Sequence, residues 1–139
     1  MTAFKKILVG VDGSDNSVRA AQRAAELASV FHSDIVLLFV IHPRESAYYT
    51  GLPTAEGAER AKGEDRLLRA KEVCEESGSK PELKVLPGNP AEVILDQSEE
   101  GYDLVVLGTR GISAMARFLM GSVTTRVVQL SKIPVMVVP

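Results

Sequence analysis

The chain has 139 residues, enough for one domain of ordinary size and too few for two, and with 45% hydrophobic and 24% charged residues it can close a core. A disordered chain and a disulfide-stapled miniprotein are therefore excluded. Sixteen basic against eighteen acidic residues leave a formal charge of −2, so no net basic field exists to hold a nucleic-acid backbone, and the lone Cys74 excludes both an intrachain disulfide framework and a cysteine-rich zinc site.

The first apolar run, 7–11, is halted by Asp12 and is too short for a signal-peptide core. The longest continuous one, 35–41, is far below the ~20 residues of a membrane-spanning helix, and a cytoplasmic protein is expected. Further short apolar runs follow at 83–86, 104–107 and 134–138, and each of the five reads as a strand. Most are apolar at consecutive positions, as in a parallel sheet covered by helices on both faces. Lys84 in the middle of the third marks it as an edge strand.

Segments with helical periodicity separate these runs. The first begins near Ser14 and carries Val18, Ala21, Ala25, Ala28 and Phe31 on one stripe, with Arg19, Arg23 and Glu26 left for solvent. The second spans 56–76, where Ala61, Leu67, Ala70 and Cys74 make a weaker stripe and Cys74 reads as a small core residue. The third starts with Asn89 as its cap, Pro90 at the first helical position and Glu92 three residues after the cap, then Ala91, Ile94, Leu95 and Ser98 as its stripe. The last opens after Gly121-Ser122 with Val123, Val127 and Leu130 as its apolar positions. This alternation predicts an α/β fold, a three-layer αβα sandwich around a parallel sheet, in one domain over residues 1–139. The one long connection, 42–55, holds Tyr48 and Tyr49 and reads as a surface loop rather than a lid.

In such a sheet ligands bind outside the carboxyl ends of the strands. There the first strand leads into Val11-Asp12-Gly13-Ser14 and the fourth into Gly108-Thr109-Arg110-Gly111, with Gly121-Ser122-Val123 opening a helix soon after. Gly108 and Gly111 leave room for a sugar or phosphate and permit positive φ. Gly121 and Ser122 offer amides at a positive helix end plus a hydroxyl, a site for an anion. Asp12 repels phosphate, so it serves a ribose hydroxyl or a divalent cation that bridges phosphates. Each feature alone also has a purely structural reading, as a turn or a helix cap.

The run Gly108-x2-Gly111-x9-Gly121-Ser122 resembles the ATP-binding signature of universal stress proteins. The segments 9–14, 104–111 and 133–138 resemble that family's opening, fourth strand and closing strand, so the likeness covers essentially the whole chain. The resemblance implies a five-stranded sheet in the order 3-2-1-4-5, as in adenine nucleotide alpha hydrolase-like folds, with ATP and Mg2+ as ligands. It places Asp12 against the ribose or the metal and main chain near Val40 against adenine, with Val11 and Thr109 alongside in the two turns. Gly108 and Gly111 would flank ribose and phosphates, and Gly121, Ser122 and Val123 would hold the phosphates. Arg110 is either a phosphate contact or a solvated side chain. Self-association through antiparallel pairing of Val135–Val138 is implied as well, since this apolar strand lies at a sheet edge in the family order.

Chemistry on ATP is harder to find. The chain lacks the GxxxxGK[ST] loop, and His32 and His42, its only histidines, sit in no motif that would make either a base. His32 reads as a partner to the end of the first helix. An adenylating or pyrophosphatase enzyme of a related fold would need an SGGxDS loop, whereas this chain has Gly10-Val11-Asp12-Gly13-Ser14. A pure association module is the third reading. The expectation is a homodimeric ATP-binding protein with at most slow hydrolysis.

Overall fold

The computed structural model describes residues 3–41, 53–110 and 120–139, with the side chains of 53–62 excepted. The tyrosines of the long connection, His42 and Gly111 therefore lie outside the described residues. The apolar runs and helical stripes resolve as β1 (Lys6–Gly10), α1 (Asp15–Phe31), β2 (Asp34–Ile41), α2 (Pro53–Glu76), β3 (Glu82–Pro87), α3 (Pro90–Ser98), β4 (Leu104–Gly108), α4 (Ser122–Leu130) and β5 (Val135–Val138). The sheet runs β3-β2-β1-β4-β5, and every neighbouring pair is parallel.

Alternate residues of the strands feed two cores. Ile7, Val9, Ile35, Leu37, Phe39, Leu104 and Val106 pack beneath α1 and α2. Leu8, Val36, Leu38, Val105 and Leu107 pack beneath α3 and α4. Each such fully buried side chain contributes roughly 1.5–3 kcal/mol, which is why the central strands read as unbroken apolar runs. Helix α1 meets the sheet through Ala20, Ala21, Ala24 and Ala25, all 0% exposed, and the small side chains let its backbone lie close to β1 and β4.

Local signals set most of the boundaries. The Ser14 hydroxyl accepts the Ser17 amide at 3.2 Å to start α1, and His32 ends it in the left-handed conformation, its N–H donating to the Ala28 carbonyl. Asn89 Oδ1 accepts the Glu92 amide at 3.3 Å at the start of α3. Cys74 is buried as a core residue, and its thiol donates to the Ala21 carbonyl at 3.6 Å. Strand β3 is an edge, as its lysine implied.

Two elements differ from expectation. Helix α2 begins at Pro53, so the connection after β2 is shorter than the 42–55 assigned to it. In α4 the expected stripe is rotated: Thr124 and Val127 are buried while Leu130 is 52% exposed. The Thr124 hydroxyl finds a partner in the Gly108 carbonyl at 2.7 Å, and that bond turns a polar residue inward where hydropathy alone points it out. No helix among the described residues is long and apolar enough to cross a membrane.

Candidate functional site

The turn after β1 is tied at several atoms. The Val11 amide donates to Leu38 O at 2.8 Å, extending the β1–β2 ladder one residue past the strand. Asp12 then leaves the sheet. Its Oδ1 accepts the Ser14 amide at 2.9 Å, its own amide lies 3.4 Å from Ser17 Oγ, and its carbonyl accepts Arg66 Nη1 from α2 at 3.1 Å. Ser14, not Asp12, caps α1. Gly13 has φ +89°, a conformation that L side chains rarely adopt.

The turn after β4 is held from three sides. The Thr109 amide donates to Val138 O at 2.8 Å, and the Thr109 carbonyl accepts the Gly121 amide at 2.7 Å. The Arg110 carbonyl accepts Asn16 Nδ2 from the first turn of α1 at 3.4 Å. With the Thr124–Gly108 bond, these contacts join the end of β4 to the starts of α1 and α4 and to the end of β5. The two turns singled out in the sequence are thus neighbours, linked through Asn16.

Two of the expected reasons for glycine need correcting. Gly108 is not among the residues with positive φ. A Cβ there would stand 2.8 Å from the Asn16 Cβ and 2.9 Å from the Asn16 carbonyl carbon, so its missing side chain admits the backbone of α1. The amide of Gly121, expected as an open donor, is bonded to Thr109. The donors that the start of α4 leaves without intrahelical partners are those of Ser122, Val123 and Thr124. Gly121 is the cap residue of α4 and supplies no side-chain bond, in contrast to Ser14 and Asn89. Ser122 is exposed just beyond it.

Of the remaining expected residues, Val11 is buried at the end of β1, while Val40, Asp12, Thr109, Arg110 and Val123 are half-buried. Val40 lies two residues past Leu38, whose carbonyl holds Val11, and so belongs to the same carboxyl edge. Asn16, Ser17, Thr124 and Arg66 were missed. A signal existed for three of them. Ser17 stands one turn before Ala21, Asn16 one turn before Ala20, and Thr124 three residues before Val127, so each is a polar residue on a stripe that helical geometry buries. Arg66 had none, since it lies on an exposed-looking stretch of charges and reaches the site only through tertiary packing.

The clearest ionisation shift lies away from this edge. Burial first, and then the Glu75 carboxylate, push the Cys74 thiol up to about 11, which keeps it protonated and unreactive. Among the described residues no group of three or more His, Cys, Asp or Glu side chains is arranged to hold a metal ion. A divalent cation here would take most of its ligands from a bound phosphate and water, with one carboxylate, as suits magnesium.

A doubly wound parallel sheet whose strand order reverses between β1 and β4, with turns joined at that reversal beside a helix start lacking a side-chain cap, defines the class of protein. Within that class, the model of the universal stress protein family matches residues 3–139, and the chain belongs to that family. It is 35% identical to the universal stress protein MJ0531 of Methanocaldococcus jannaschii over 97% of this chain and 82% of that one. Among solved structures it is similar to universal stress protein UspA from Lactobacillus plantarum, with 28% identity, coverage of 98% of both chains and a TM-score of 0.82. It is also similar to a universal stress protein crystallised in complex with cAMP, with 27% identity, coverage of 99% of this chain and 98% of that one, and a TM-score of 0.73.

Proposed function

We propose that this chain, a single universal stress domain over residues 1–139, is a cytoplasmic homodimer that binds ATP with Mg2+ as a regulatory or structural ligand and hydrolyses it slowly if at all. The observation that carries the reading is the Asn16 link, which sets the Asp12 turn beside the Gly108–Arg110 turn at the reversal of strand order. In this reading adenine lies against main chain at Val40, the ribose hydroxyls donate to Asp12, and the triphosphate sits at the first turn of α4 on Ser122 and the Val123 amide. Gly111 and Arg110 complete the phosphate side. The positive end of α4 and the amides of its first turn suit a polyanion without a lysine. Magnesium, when bound, neutralises phosphate charge. A relative crystallised with cAMP lends support to an adenine nucleotide.

The dimer rests on an asymmetry between the two sheet edges. Strand β3 exposes Glu82 and carries Lys84, which discourage pairing, whereas β5 presents Val135, Met136 and Val137 half-buried. Titration of Mg-ATP into protein stripped of endogenous nucleotide tests the ligand, and absence of heat at millimolar nucleotide refutes it. Light scattering of a Met136→Lys variant tests the interface; a dimer unchanged in mass refutes pairing through β5.

A further inference from the structure

We propose that Arg66, on the far side of the sequence from the nucleotide turns, is a positioning residue that aims the Asp12 carboxylate and thereby sets ribose recognition. This inference rests on the nucleotide reading above. Helix α2 contributes no residue to the glycine signature, yet Arg66 reaches from it to the turn after β1. Its Nη1 donates to the Asp12 carbonyl at 3.1 Å, and its guanidinium carbon lies 5.4 Å from the centre of the Phe39 ring. Its stem fills the space beside Gly13: a Cβ on that glycine would stand 3.1 Å from Arg66 Cγ and 3.2 Å from Cδ. Glycine and arginine therefore complement each other, because the turn that needs positive φ also leaves the room the arginine stem occupies.

The consequence for Asp12 is that its backbone is gripped on both sides of its Cα. The amide faces Ser17 Oγ and the carbonyl takes Arg66, while Oδ1 accepts the Ser14 amide. With φ and ψ of Asp12 held, the direction in which the carboxylate leaves the sheet is held too, and that direction decides whether it can accept from a sugar hydroxyl. Phe39 lies buried under α2 and gives the guanidinium plane a fixed seat. A lysine can reach the carbonyl, but it brings neither a plane for the ring nor a rigid fork. Arg66 is thus the point at which α2 acts on the site.

The test compares binding of ATP and of 2′,3′-dideoxy-ATP, which lacks both ribose hydroxyls, to the unmutated chain, Arg66→Met, Arg66→Lys, Asp12→Ala and the Asp12→Ala/Arg66→Met double variant. The unmutated chain should prefer ATP. Arg66→Met should weaken ATP by about tenfold and leave the dideoxy nucleotide unchanged, so the preference collapses, and Arg66→Lys should fall between. In the Asp12→Ala background, Arg66→Met should change neither nucleotide. A merely structural role would weaken both nucleotides in parallel, and that result overturns the proposal, as does an Arg66→Met variant that keeps the full preference. Should the Met variant fail to fold, the Lys variant decides by the same ratio. Failure of the unmutated chain to bind either nucleotide overturns the nucleotide reading itself, whereas a preference that survives Arg66→Met removes only the role of Arg66.

Discussion

At the amino ends of the strands the chain closes on itself. Asp103 Oδ2 accepts the amides of Lys5 and Lys6 at 2.9 and 3.0 Å, the Asp103 amide donates to Lys6 O at 2.9 Å, and the Asp34 amide donates to Lys5 O at 2.8 Å. Ser33 bonds to the Phe4 carbonyl, Phe4 meets Phe31 edge-on at 5.4 Å, and the Lys6 ammonium lies 4.5 Å from the Tyr102 ring centre. At the carboxyl ends the bonding pattern differs. The carbonyls of Gly108, Thr109 and Arg110 are answered from α1 and from the start of α4, which draws the turns together. One end of the sheet uses its polar groups to seal the strands, and the other uses them to hold two turns side by side. In a parallel sheet this division is available because all carboxyl ends lie on one side.

Substitutions at the two ends should separate these roles. The largest effect is expected for Gly108→Ala, whose Cβ must displace the Asn16 backbone: about 3 kcal/mol of stability in urea unfolding, with loss of nucleotide binding, because the Asn16–Arg110 link opens. Gly101→Ala near the amino end meets nothing within 4 Å and carries only the strain of φ +89°, about 1 kcal/mol. Asp103→Ala should cost about 2 kcal/mol, because two backbone amides lose a carboxylate acceptor, yet leave nucleotide affinity unchanged in the same titration. An affinity loss there would show that the two ends are coupled.

The Tyr102 hydroxyl is buried with no hydrogen-bond partner among the described residues, and burial, helped by Glu82 and Glu100, raises its pKa. Tyr102→Phe should therefore increase stability by about 1 kcal/mol in thermal or urea unfolding, with binding untouched. At neutral pH Cys74→Ala reports only the small volume removed, but the alkaline limb is informative. The folded thiol is raised from 9.0 to about 11, so the folded state holds its proton more tightly than the unfolded chain does. The stability this contributes is complete below pH 9 and is lost as pH rises toward about 11, and the decline should be shallower in Cys74→Ala when unfolding is followed across that range.

Much of this arrangement is legible in the amino-acid sequence. Apolar runs marked β1, β2 and β4 because central parallel strands are buried on both faces, and Asn89-Pro90 with Glu92 marked α3 because capping is a local bond. The face of α4 was misread, since the Gly108 carbonyl that takes the inward Thr124 hydroxyl lies sixteen residues away. The reason for Gly108 was misread in the same way: its close neighbour, Asn16, lies on another element, and nothing in the spacing of glycines names that neighbour. Arg66 and Asp12 are 54 residues apart and share no pattern.

Periodicity, capping residues and glycine turns depend on neighbours within a few positions along the chain, so the elements, their alternation and the glycine-bearing turns at the strand ends were settled by the amino-acid order. Which side chains those turns touch depends on where α1, α2 and α4 come to rest on the sheet. That is a matter of packing between segments far apart in sequence, and only the folded molecule decided that Asn16 joins the two turns, that Gly121 bonds to Thr109 and that Arg66 grips Asp12.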